Sequence, residues 1–156
     1  MQPEATPPPR HARTILLGGL LVGTLDFLDA MIFFSLRGAP PLSIFQAVAG
    51  GILGREAAFA GGWPTFVLGV AIHFFIATCV AAAYYGASRR IELLRRHAVP
   101  CGLAYGVGVY FFMQLVVIPL SALGGPPRWA LPGLLNGIIG HALLVGLPAA
   151  LISRRA

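Results

Sequence analysis

The sequence predicts an all-α membrane protein: four transmembrane helices in two repeated hairpins, with a short interfacial or re-entrant helix in the first outer loop. Three observations predict it. The 156 residues have a mean hydropathy of +0.81, with 57% hydrophobic and only 10% charged residues, too little polar surface for a water-soluble domain. Four apolar runs, near residues 14–36, 64–87, 100–121 and 130–152, each reach the roughly 20 residues that a ~30 Å hydrocarbon layer demands. Pro64, Gly69 and His73 recur as Pro132, Gly137 and His141, every member 68 positions on.

Residues 1–13, rich in proline and polar side chains, are expected to be a disordered cytoplasmic tail, leaving residues 14–156 as a single four-helix transmembrane domain. The first run is longer than a typical signal core, contains Asp26 and Asp29, and lacks a good small-residue cleavage site. It reads as a retained signal-anchor helix. Pro40 and Pro41 stop it. In the loop that follows, Ser43 offers a cap, and Ile44, Phe45, Val48 and Ile52 recur with helical spacing. Gly50, Gly51 and Gly54 weaken and end that pattern. A short helix over residues 43–53 is therefore expected on the outer face, either covering what the spans enclose or merely filling the membrane surface.

The later runs carry stripes of small residues at i, i+4 spacing. Thr65, Gly69 and His73 form one, Gly133, Gly137 and His141 another, and Gly102, Gly106, Tyr110 and Gln114 a third. Helices approach closely along such stripes, which turns their polar members into the bundle. Gly19 and Gly23 open the first run as Gly102 and Gly106 open the third, 83 positions on. The excess over 68 fits the longer first outer loop, so runs one and two correspond to three and four as copies of the same orientation. In an up-down bundle the second and fourth helices are diagonal, and their histidines face each other.

Orientation follows from arginine, since the chain has no lysine. Arg10, Arg13, Arg89, Arg90, Arg95, Arg96, Arg154 and Arg155 would share one side, and Arg37, Arg55 and Arg128 the other. That bias puts both termini in the cytoplasm of a bacterial inner membrane. It also explains the net charge of +6 through topology, without a nucleic-acid partner. Tyr84, Tyr85 and Trp63 are expected in the aromatic belts. Cys79 and Cys101 fall toward the cytoplasmic side, where thiols stay reduced.

At ~1.5 Å per residue, His73 and His141 lie about 14 Å below the outer boundary, Asp26 roughly 15 Å and Asp29 roughly 11 Å. Ionisable side chains at such depth are expensive and usually functional. Asp26, Asp29, His73 and His141 are therefore the candidate ion- or proton-binding residues, with Gln114, Asn136 and Tyr110 as polar support. A carboxylate beside an imidazole stabilises the imidazolium, whereas burial opposes charging either. The same four ionisable residues are candidates for a divalent metal, as in a metal-dependent membrane enzyme. A b-type haem held between His73 and His141 is a further alternative. So is a scaffold whose polar network only locks helix pairing. No phosphate-cradling glycine loop, HExxH, CxxC or nucleophile elbow occurs, so no catalytic residue is named and no cofactor is required. The expected partners are the bilayer and a homodimer or larger membrane complex.

Ile118-Pro119-Leu120, the Gly-Pro-Pro loop, Leu131-Pro132 and Gly140-His141 resemble the last helix pair of the YagU-type bacterial inner-membrane proteins. The stretch from Leu68 to His73, followed by Ala83-Tyr84-Tyr85, is similar to their preceding helix. The resemblance covers the second half of the chain and leaves out the span with Asp26 and Asp29. It implies an involvement in acid tolerance and supplies no catalytic residues.

Overall fold

The computed structural model describes residues 10–126 and 129–155. Residues 1–9 of the expected tail, and Arg128, lie outside the described residues. Four segments are long and apolar enough to cross a membrane: His11–Leu36, Gly62–Arg90, Ala98–Leu120 and Leu131–Arg155. They correspond to α1 (Arg10–Leu36), α4 (Gly62–Arg90), α6 (Ala98–Phe112) running on into α7 (Ile118–Leu120), and α8 (Leu131–Gly140) running on into α9 (Leu147–Arg155). Among the described residues there is no strand. Leu16, Leu20, Ile32, Phe75, Phe112 and Ile139 stay exposed on the outside of the bundle, an apolar surface that suits lipid.

The first helix begins earlier than its hydropathy suggests. Residues 10–13, which the sequence assigns to the tail, belong to α1. His11 Nδ1 lies 2.6 Å from the Tyr85 hydroxyl, which ties that first turn to the far end of α4. Tyr84 and Tyr85 are consequently buried and are not belt residues. The Tyr84 hydroxyl donates to the Leu94 carbonyl at 3.1 Å, the kind of partner a buried phenol needs. Trp63 remains exposed.

The first connection holds two short helices, α2 (Pro41–Leu53) and α3 (Arg55–Ala60). The double proline that stops α1 also starts α2. Pro41 sits in the first turn, where its fixed φ suits a helix and its missing N–H costs nothing. Ser43 is therefore inside the helix, with its hydroxyl donating back to the Pro40 carbonyl at 2.7 Å, and it does not cap. Gly54, at φ 77°, separates α2 from α3.

Far from lying loosely on a surface, α2 is built into the bundle. Phe45, Gln46, Ala49 and Gly50 are buried. A side chain at Gly69 would overlap the Phe45 carbonyl, so α2 and α4 touch backbone to backbone there. Gln46 Nε2 donates to the Gly62 carbonyl at 3.0 Å and to Thr65 Oγ1 at 3.3 Å. On its other flank, the Ala122 amide donates to the Gly51 carbonyl at 2.9 Å. The short helix thus bridges from α4 to the loop after the third span.

Among the spans, α1 packs on α4, α6 packs on the fourth span, and α9 also touches α1 and α4. The second and fourth spans are in contact, which departs from an open square with these two on its diagonal. The glycines explain the close pairs. A Cβ on Gly19 would strike Thr78, and one on Gly23 the Phe74 ring. A Cβ on Gly102 would reach the Gly146 carbonyl at 2.9 Å, and one on Gly106 the Ala142 Cα at 2.8 Å. α4 and α6 meet through side chains, with the Tyr105 hydroxyl donating to the Val80 carbonyl at 2.8 Å.

Two stretches widen into π-helical turns, Met113–Val117 and His141–Gly146. Each runs just ahead of a proline, Pro119 and Pro148. A proline within a helix clashes with the carbonyl four residues back and lacks the N–H to bond it. Wider turns ahead of it accommodate that lost bond.

Candidate functional site

Asp26 and Asp29 leave α1 on the side that meets the fourth span and α4. Three and four residues apart on a helix are neighbours, yet the two carboxylates have different partners. Asp29 Oδ2 accepts from Asn136 Nδ2 at 2.8 Å. This pairing crosses from α1 to α8, beside Gly140, where a Cβ would come within 3.1 Å of the same oxygen. Asp26 instead stands between the histidines. His73 Nδ1 is 3.9 Å from Asp26 Oδ2, and His141 Nδ1 is 4.0 Å from Asp26 Oδ1. One carboxylate thus presents one oxygen to each imidazole.

The His73 ring is oriented from behind. Its Nε2 lies 2.9 Å from the Gly23 carbonyl, and a carbonyl oxygen only accepts, so Nε2 carries the hydrogen. In a neutral ring Nδ1 would then be a lone pair aimed at a carboxylate oxygen. Two acceptors face each other, and the arrangement is relieved only by a proton on one of them or by a donor or cation between. The separations of 3.9 and 4.0 Å exceed a direct hydrogen bond and leave space for such a bridge.

Aromatic rings cover His73. Its centroid lies 5.2 Å from Phe45 of α2 and 5.4 Å from Phe74, both edge-on. Phe27 stacks on Phe45 at 4.4 Å. His141 has Tyr110 at 5.4 Å. The side chains keep 12% exposure at His73 and 23% at both Asp26 and His141, which reflects a cavity beside them. That cavity has a volume of about 320 Å³ and includes Asp26, Asp29, His73, His141, Asn136 and Gln114 in its lining. At ~30 Å³ per molecule it has room for about ten waters. Ile44, Phe45 and Val48 of α2 line it as well. No arginine does.

All seven residues singled out in the sequence reach this cavity, Tyr110 included. Sequence reasoning passed over Phe27, the neighbour of Asp26, and Gln46, which anchors the covering helix. Both are embedded in apolar or glycine-rich context that gave no separate signal.

The proposed cofactors can be tested against this geometry. A haem between His73 and His141 needs the imidazoles facing across an iron with nothing between. Asp26 occupies that position, and His73 Nε2 is engaged by Gly23. The residues do not fit bis-histidine haem. Nor do any three His, Cys, Asp or Glu side chains among the described residues converge as a metal-holding group. Asp29 is turned to Asn136, leaving one carboxylate where the metal alternative needs two. No family model, curated protein or solved structure matches the chain, so its chemistry rests on its own residues.

Proposed function

We propose that this is a small polytopic inner-membrane protein that binds a proton or a small cation at Asp26. One observation carries the reading: a single carboxylate lies between two imidazole Nδ1 atoms, at 3.9 and 4.0 Å, with no arginine among the described residues of the cavity wall. Unpaired carboxylates in an apolar surround are costly. A bound proton or cation supplies the missing positive charge.

Several features favour a binding site over a conducting path. Val22, Ala77 and Val145 form the floor of the cavity and belong to a core cluster with Ala149, Ala150 and Tyr84. This apolar layer separates Asp26 from the end where His11 meets Tyr85. With both termini in the cytoplasm, as arginine bias implies, the cavity faces the outer medium. A site that takes up protons from outside agrees with the acid-tolerance role that the resemblance implies.

We also read the chain as a duplicated hairpin. The support is that Gly19 against Thr78 and Gly23 against Phe74 correspond, by 83 and 68 positions, to Gly102 against Gly146 and Gly106 against Ala142. A homodimer or larger membrane complex remains part of the proposal.

The test is a potentiometric titration of the purified protein in lipid discs. Wild type should take up more protons between about pH 4 and pH 9, where carboxylates and imidazoles titrate, than Asp26→Asn at matched protein content. Identical uptake curves would refute the site.

A further inference from the structure

A second space adjoins the cavity. Between α4 and α6 lies an apolar groove of about 470 Å³, with Phe75, Cys79, Ala83, Gly108, Phe112 and Val117 in its lining. It exists because α4 and α6 are held apart by Tyr105, whose ring packs on Tyr84 at 5.0 Å and whose hydroxyl reaches Val80. The groove opens to the outside of the bundle, where exposed Phe75 and Phe112 mark the lipid-facing surface.

Groove and cavity share a wall. Ile76, Val80, Val109 and Met113 line both spaces. One layer of side chains therefore separates lipid from the carboxylate site. The wall includes the first residue of a π-helical turn, Met113. Such turns are rare and recur at functional sites, and methionine is the most adaptable of apolar side chains. Among the described residues, the polar side of the wall carries two carboxylates and no arginine, and the apolar side carries no carboxylate, imidazole or guanidinium group. Negative charge next to an oily channel describes a receptor for a cation with a hydrocarbon tail.

We propose that the cation taken by the Asp26 site is a protonated alkylamine, whose chain lies in the groove between α4 and α6 and whose ammonium reaches the carboxylates past Met113. This rests on the cation-site reading above and adds the class of ligand and its route. The chain gains little by leaving lipid for an equally apolar groove. What the groove supplies is lateral access, so an amine dissolved in the bilayer reaches Asp26 without passing under α2.

The experiment compares dodecylammonium with ethylammonium binding to the protein in lipid discs. Gly108→Phe is chosen to fill the groove, because Gly108 lines it and a Cβ there meets nothing within 4 Å. Ala83→Phe is the second variant, should the first fail to assemble. Either should weaken dodecylammonium at least tenfold while ethylammonium binding and proton uptake stay at wild-type levels. A diazirine at the end of the dodecyl chain should label residues 75–83 and 105–117, and dodecylammonium should compete that label while dodecanol does not. The proposal is overturned if groove-filled protein binds dodecylammonium like wild type, or if dodecanol competes equally. It is also overturned if filling the groove splits a dimer, which would assign the groove to a second copy. If neither amine binds yet proton uptake still depends on Asp26, this proposal alone falls. If Asp26→Asn takes up protons like wild type, the underlying site falls with it.

Discussion

A double-mutant cycle between Asp26 and His73 offers the most direct test of the charge arrangement. The substitutions are Asp26→Asn and His73→Gln, alone and together, with unfolding free energy measured by steric trapping in lipid discs. Asn and Gln keep much of the shape and some hydrogen bonding but cannot carry charge. Two unit charges 3.9 Å apart attract by about 4 kcal/mol at an effective dielectric of ~20. Asp26 is nearly as close to His141, at 4.0 Å, so with one proton distributed over the two imidazoles each is charged about half the time and the coupling to either should be about 2 kcal/mol.

The pH dependence has a definite sign. Imidazolium and carboxylate attract only when the imidazole is charged, so coupling should be larger at acid pH than at alkaline pH. Swapping His141→Gln into the cycle should give a similar coupling. A cycle pairing Asp29→Asn with His73→Gln should give less, since Asp29 hydrogen-bonds Asn136. Distant independent sites already scatter by ~0.3–0.5 kcal/mol. An Asp26–His73 coupling within that scatter at both pH values would refute the electrostatic reasoning and leave a neutral hydrogen-bond network.

Other perturbations separate the parts of the site. Asn136→Leu removes the donor to Asp29 and should cost about 1.5–3 kcal/mol, as for hydrogen bonds to charged groups, read from the same unfolding measurement. Gly69→Leu should lift α2 from α4 by striking the Phe45 carbonyl, and a cysteine replacing Val48 should then react with maleimide much faster than in the parent. Pro148→Ala should let the fourth span close into a regular α-helix and turn His141 away from Asp26. Proton uptake should then fall toward that of His141→Gln, while thermal stability holds or rises.

The spans were legible because lipid imposes one simple demand, some twenty apolar residues, and the four runs meet it within a few positions. The meeting of Asp26, His73 and His141 was legible for a related reason: a constant rise per residue converts position into depth. Rotation about the helix axis was harder. Asp26 and Asp29 differ by three residues, about 60° around an α-helix, and only the packed partners decide that one faces the histidines and the other Asn136. Tyr84 and Tyr85 looked like belt residues because their composition suits an interface, whereas α5 (Glu92–Arg96) and its approach supply Tyr84 with the Leu94 carbonyl. The π-helical turns had a signal in Pro119 and Pro148, whose missing N–H forces a local answer, though not its form. For α2 the helical period was visible, but the Phe45 contact with Gly69 depends on tertiary packing that no local pattern encodes.

Those prolines also bear on the proposed duplication. Moved back by 68 positions, Pro148 falls on Val80, and α4 accordingly runs as an uninterrupted α-helix through His73. The fourth span instead widens from His141 onward. Two copies of one sequence pattern therefore hold their histidines differently. His73 is fixed by the Gly23 carbonyl and by the rings of Phe45 and Phe74. His141 is the first residue of a π-helical turn, with Tyr110 as its aromatic neighbour. Within the proposed function this inequality gives the two imidazoles separate duties. His73 sets the position of Asp26 in the cavity, and the fourth span, hinged at its π-helical turn, is the element that can shift when the shared proton arrives. Such a division needs the two histidine segments to differ, and Pro148 in one against Val80 in the other is a difference that reaches the backbone.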